Sequence, residues 1–144
     1  MTLRVSSTLL TVDWRAEIIE LHAVFDAWFR DASVSLDRFE DTMDQAFTII
    51  SPSGVVASAA EVVEVVRSGG GRAPEQSILT SDHELLADSG DLVVARYVEH
   101  HRTPHVSSQR RSTVVFRRHA SAPNGLRWLT VQETWTVPPA VPRR

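Results

Sequence analysis

The stretch from Leu92 to Val137 constrains this chain most. It reads as three long strands joined by short turns, and it closes on Asn124-Gly125-Leu126-Arg127-Trp128-Leu129-Thr130-Val131-Gln132-Glu133-Thr134-Trp135. Successive side chains of a strand point to opposite faces, so each strand carries two sets. Set one is Val93, Ala95, Tyr97, Glu99 and His101, then Arg111, Thr113, Val115 and Arg117, then Trp128, Thr130, Gln132 and Thr134. Set two is Val94, Val98 and His100, then Val114 and Phe116, then Leu129, Val131, Glu133 and Trp135. A sheet with one greasy face and one mixed aromatic and polar face packs on one side and lines a cavity on the other.

Upstream, the period changes to that of helices. Trp14, Ile18, Leu21, Phe25, Trp28, Phe29 and Ala32 fall on one stripe, with Asp13 as N-cap. Ser35 opens a second short helix to about Gln45 that buries Leu36, Phe39 and Met43. Phe47 to Ile50 is a β-type run, stopped by the Ser51-Pro52-Ser53-Gly54 turn. Ser58-Ala59-Ala60-Glu61 matches a capping box that opens a third helix to about Arg67, ended by Gly69-Gly70-Gly71. A first strand from about Gln76 to Ala87 then precedes the three already described. Pro138, Pro139 and Pro142 end the sheet and leave a loose tail. Helices first and meandering strands after them make an α+β domain with the helices on one face of the sheet.

Bulk properties bound the function. The chain has 144 residues and suits a single domain spanning 1–144, with its core at about 14–137. Its net charge of −3 predicts no general attraction to nucleic acid or to acidic membranes. No cysteine is present, which excludes disulfides, thiolate metal sites and thiol catalysis. All 15 basic residues are Arg, which excludes Schiff-base and P-loop lysine chemistry. A GC-rich bacterial coding bias accounts for the missing lysine. Apolar runs are far below the ~20 residues of a membrane span. Met1 to Thr11 makes a poor signal peptide, so a soluble, cytoplasmic protein is expected.

The order of elements resembles the NTF2-like superfamily, and within it the DUF4440 and SnoaL-like group. The aromatic first helix (Ile18 to Phe29), the Ser51–Gly54 turn before a helix with Glu61 near its start, and the terminal strand Arg127 to Trp135 carry the likeness. Thr130 and Gln132 stand on that last strand where His is expected in similar proteins. The resemblance implies an NTF2-like cone, a curved antiparallel or mixed sheet wrapped around three N-terminal helices. It implies a pocket between helix one and the concave sheet face, and frequent dimerisation through the convex face. The functions of such proteins diverge widely, so the resemblance gives the address of a site and not its chemistry.

Set one is expected to face the helices and the pocket; the alternative places set two under the helices and set one in solvent. In the expected arrangement set two needs a second subunit, because an apolar patch of that size is a liability on a monomer. A homodimer through Val98, Val114, Phe116, Leu129, Val131 and Trp135 follows. A bulge would mix the two sets.

Within set one, Glu99 and His101 share a face and suit general base and acid roles if burial brings their pKa values toward neutrality. Tyr97 is placed to donate to a developing oxyanion. The competing structural reading pairs Glu99 with Arg111 across the hairpin and leaves His101 near the rim. His22, Trp28, Thr113, Trp128, Gln132 and Thr134 complete the candidate ligand-binding set, His22 at the pocket's edge and the tryptophans as stacking surfaces. His100, His101 and His105 lack a metal-ligand spacing, so no metal and no cofactor is expected. Two function classes lead, with a protein-binding transport-factor role as a third. One is a small-molecule binding domain with cofactor-free isomerase, cyclase or dehydratase chemistry. The other is a non-catalytic association module.

Overall fold

The computed structural model describes residues 12–140. The expectations about Met1 to Thr11 as a poor signal peptide and about the chain beyond 140 lie outside those residues. Helix α1 is Trp14–Arg30, started by the Asp13 side chain, which accepts the Ala16 N–H at 2.9 Å. Helix α2 is Asp37–Thr42. Strand β1 (Met43–Ile50) follows it directly, so α2 ends three residues short of the expected Gln45. The reason is tertiary: β1 pairs in parallel with the last strand from Met43 onward, and extended backbone starts where that pairing does. After β2 (Val56–Ser58), helix α3 (Ala59–Ser68) opens with the expected capping box between Ser58 and Glu61. Then come β3 (Ser77–Asp88), β4 (Leu92–Arg102), β5 (Ser107–Arg118) and β6 (Leu126–Val137).

The strands form one six-stranded sheet in the order β2-β1-β6-β5-β4-β3. Among the described residues only the β1–β6 pairing is parallel. Bulges curl the sheet. In β3 the register slips between Ser81 and Glu84, where Asp82 takes φ 52°, and again between Leu85 and Ala87. An extra residue on one strand bends it and strengthens its twist, so β3 wraps toward α1. The Asp26 carboxylate accepts the Ile78 N–H at 2.8 Å and pins the two together. The core lies between α1 and α2 and the concave face, where Ile18, Leu21 and Phe39 meet Val93, Ala95, Tyr97, Val114, Phe116, Leu126 and Trp128.

That core corrects the assignment of faces. The odd residues of β4 do face the helices. Across the hairpin, however, Val93 lies opposite Phe116, Ala95 opposite Val114 and Tyr97 opposite Ser112. Opposite residues share a face, so Val114 and Phe116 are core and Thr113 points outward. In β6, Phe116 faces Trp128 while Val115 faces Thr130, which leaves Leu129 as a bulge. The bulge flips the rest of the strand: Trp128 and Val131 both point inward, and Thr130 and Gln132 outward. Val114, Phe116 and Val131 are therefore buried in the chain's own core, Val98 is buried as well, and Trp135 stands on the inner face beside Arg110, so none of these five forms the expected dimer face. Among the described residues no helix is long and apolar enough to cross a membrane.

Candidate functional site

A cavity of about 340 Å³ opens between the helices and the concave face. Leu21, Phe25 and Phe29 of α1, with Phe39 of α2, form one wall. Phe47 and Ile49 of β1 and Val62 and Val66 of α3 form another. The floor is the sheet, with Trp128 and Val131. The polar groups cluster at one end: His22, Tyr97, Glu99, His101, Arg110 and Glu133.

Glu99 organises that end. Its Oε1 accepts from His22 Nε2 at 2.9 Å, and its Oε2 accepts from His101 Nε2. His22 is 4 % exposed and its Nδ1 lies 2.7 Å from the Ile18 carbonyl. A carbonyl and a carboxylate both accept, so both ring nitrogens of His22 carry protons and the ring is an imidazolium. Burial opposes that charge, but the Glu99 charge and hydrogen bond, with the Ile18 carbonyl, hold the His22 pKa above its ordinary 6.5. Burial likewise opposes ionisation of Glu99, and the His22 charge and the two imidazole bonds hold its carboxyl well below the usual carboxylate range. On the far side, Gln76 Nε2 donates to His101 Nδ1 at 2.9 Å.

The other members differ in kind. Burial, then the Glu99 charge, pushes the Tyr97 hydroxyl well above its ordinary 10, so it stays protonated. Glu133 is pushed up by burial and by Glu99, and Arg110 draws it partly back. The Arg110 Nη1 lies 3.3 and 3.4 Å from the two Glu133 oxygens, and its guanidinium sits 4.8 Å over the Trp135 ring.

The structure gathers five of the sequence-derived candidates on this cavity: Tyr97, Glu99, His101, His22 and Trp128. His22 is deep inside and not at the rim. The Glu99–Arg111 pair does not form, because Arg110 stands opposite Glu99 and Arg111 opposite Val98. Thr113, Gln132 and Thr134 are corrected to the outer face. There they line a separate hollow of about 540 Å³ with Arg96 and Arg111. Trp28 is also corrected: its indole donates to the Val66 carbonyl at 2.7 Å and packs on Gly70, outside the cavity lining. Among the described residues no group of three His, Asp or Glu side chains is arranged to hold a metal.

Three residues escaped the sequence reading. Glu133 was hidden by the β6 bulge, and Arg110 by the β4–β5 register, which sets the even residues of β5 opposite the odd residues of β4. Glu17 left a signal, being a lone carboxylate inside the apolar stripe of α1. It is fully buried, and it accepts from Arg38 (2.6 and 3.1 Å), Thr42 (2.6 Å), Asn124 (3.0 Å) and Trp128 Nε1 (2.8 Å). It joins α1, α2 and β6 and fixes the Trp128 ring that floors the cavity.

Among solved structures, this chain is similar to an NTF2-like protein of unknown function from Pseudomonas aeruginosa. The identity is 31 % with a TM-score of 0.78, covering 85 % of this chain and 97 % of the other. It is also similar to the CaMKII hub of S. rosetta (16 % identity, TM-score 0.60, 73 % and 85 % covered). A third likeness is to a putative ketosteroid isomerase from Shewanella frigidimarina (15 %, TM-score 0.54, 67 % and 78 % covered). The last two likenesses speak to the fold alone. No family model matches the chain, and no curated protein matches it.

Proposed function

This chain belongs to the NTF2-like family, and from that premise we propose that its cavity binds a small, largely apolar organic molecule and moves a proton on it without a cofactor. The observation that carries the reading is the arrangement of the cavity, apolar on its walls with all its ionisable groups at one end. An apolar pocket with a few convergent polar groups of shifted pKa is the usual form of a small-molecule site. Tyr97, protonated, donates to oxygen that gains charge. Glu99, ionised, accepts from His101 and holds its ring against the cavity. Isomerisation, cyclisation and dehydration are the reactions such a set serves.

A thermal-shift screen of aromatic and lipid-like compounds tests the reading. Binders should raise the melting temperature of the wild type, and Glu99→Gln should weaken them while leaving the circular dichroism spectrum unchanged. A screen without a single binder would sink the reading, and full binding by Glu99→Gln would remove Glu99 from the site.

A second reading is an association module. It is supported by the outer hollow with Thr113, Thr130, Gln132 and Thr134 and by fold neighbours that include a hub and an association domain. Self-association through that face predicts a dimer or larger in sedimentation equilibrium, broken by Thr134→Glu. A monomer at every concentration rejects it.

A further inference from the structure

The cavity holds two carboxyl groups in unlike circumstances. Both Glu99 oxygens accept an imidazole N–H, and each imidazole is tied at its other nitrogen, to the Ile18 carbonyl or to Gln76. Each Glu99 oxygen thus has its own donor. The Glu133 side chain is only 8 % exposed, yet among the described residues its hydrogen bonds run only to one Arg110 nitrogen, at 3.3 and 3.4 Å. A buried carboxylate has room for about four accepted bonds, so Glu133 keeps unused acceptor capacity beside an apolar cavity. Charge is already balanced there, Glu99 against the His22 imidazolium and Glu133 against Arg110. A charged ligand would bring an uncompensated charge into a desolvated site.

We propose that Glu133 is the hydrogen-bond acceptor of this cavity and that the ligand is an uncharged apolar alcohol or phenol whose O–H donates to it. The inference rests on the small-molecule reading above and names the ligand class for the same site. The groups facing Glu133 are Glu99, His101 and Tyr97 from β4, Arg110 from β5 and His22 from α1; β1 and α3 present only apolar side chains. Burial and the Glu99 charge raise the Glu133 pKa, so its acceptor-only form is lost at a higher pH than that of an ordinary carboxylate.

Four probes on one naphthalene skeleton test this on the full chain: 2-naphthol, 2-methylnaphthalene, 2-naphthoate and 2-naphthylmethylammonium. 2-Naphthol should bind about tenfold or more tighter than 2-methylnaphthalene, as a hydrogen bond to a buried carboxylate implies. That preference should vanish in Glu133→Gln. In the wild type it should also decay as pH falls through the Glu133 titration, a measurement that needs no variant. Tighter binding of the naphthoate or the ammonium overturns the proposal, as does a preference that survives Glu133→Gln. Equal binding of all four overturns this inference while the small-molecule reading stands. Binding of none overturns both.

Discussion

Replacing Glu17 by Gln keeps the shape of the side chain and removes its charge and half of its acceptor capacity. Oε2 receives Arg38 Nη1, Thr42 and Trp128, and Oε1 receives Arg38 Nη2 and Asn124. The best amide orientation keeps oxygen at the first position, because an indole N–H only donates. The new NH₂ then faces Asn124, whose amide turns over, and Arg38 Nη2, which has no acceptor to offer. Losing one partner of a buried ion pair costs about 3–5 kcal/mol. The Arg38 side chain is 23 % exposed, so water recovers part of that. We expect a loss of about 2–3 kcal/mol, the worth of one charge-assisted bond at the upper end of its range. At roughly 4 °C per kcal/mol for a chain of this length, the melting temperature should fall by about 8–12 °C. Urea unfolding should show a lower midpoint at unchanged slope. Glu20→Gln is the control: Glu20 meets the same Arg38 and Asn124 at 3.3 and 3.1 Å, but its side chain is 52 % exposed. An exposed pair is worth about 0–1 kcal/mol. If Glu17→Gln costs no more than Glu20→Gln, the buried carboxylate does not join the helices to the sheet and the reasoning fails.

Further outcomes follow from other parts of the structure. Phe116→Ala should cost about 3–5 kcal/mol as a core truncation, whereas Gln132→Ala should stay within about 0.5 kcal/mol; near-equal values in chemical denaturation would restore the face assignment rejected above. Gly70→Ala would set a Cβ 2.5 Å from the Trp28 ring, so it should lower stability by about 1–3 kcal/mol through overpacking, and an unchanged melting curve would refute the contact. The His22–Glu99 pair makes stability depend on pH from both sides. The raised His22 pKa contributes fully below 6.5 and its contribution is lost as pH rises through the folded value. The lowered Glu99 pKa contributes fully above 4.5 and its contribution is lost as pH falls. Thermal melts across pH should therefore lose stability above 6.5 in the wild type and lose less in His22→Gln; parallel profiles would show that the pair is not linked to folding.

Much of this architecture was legible in the residues. The 3.6-residue stripe from Trp14 to Phe29, the Ser58–Glu61 capping box and the period-two run of β4 are local signals, and each element formed where its signal stood. The inward turn of Tyr97, Glu99 and His101 was legible for the same reason, since alternation along an unbroken strand is automatic. The placement of Gln132 was not. One unpaired residue, Leu129, reverses the side chains from Thr130 to Trp135, and a bulge is set by the pairing of β6 with β5 rather than by any residue of β6.

The sequence by itself determined which segments are helix and strand and that β4 carries its ionisable groups on a single face, because short-range periodicity and capping depend on neighbours along the chain. Only the tertiary structure decided that Val114 and Phe116 fill the core, that His22 reaches Glu99 from 77 positions away, and that Glu133 enters the cavity. Those facts depend on which strand lies opposite which and where the register slips. Register is fixed by the summed packing of the whole sheet against the helices, a quantity that no single segment contains.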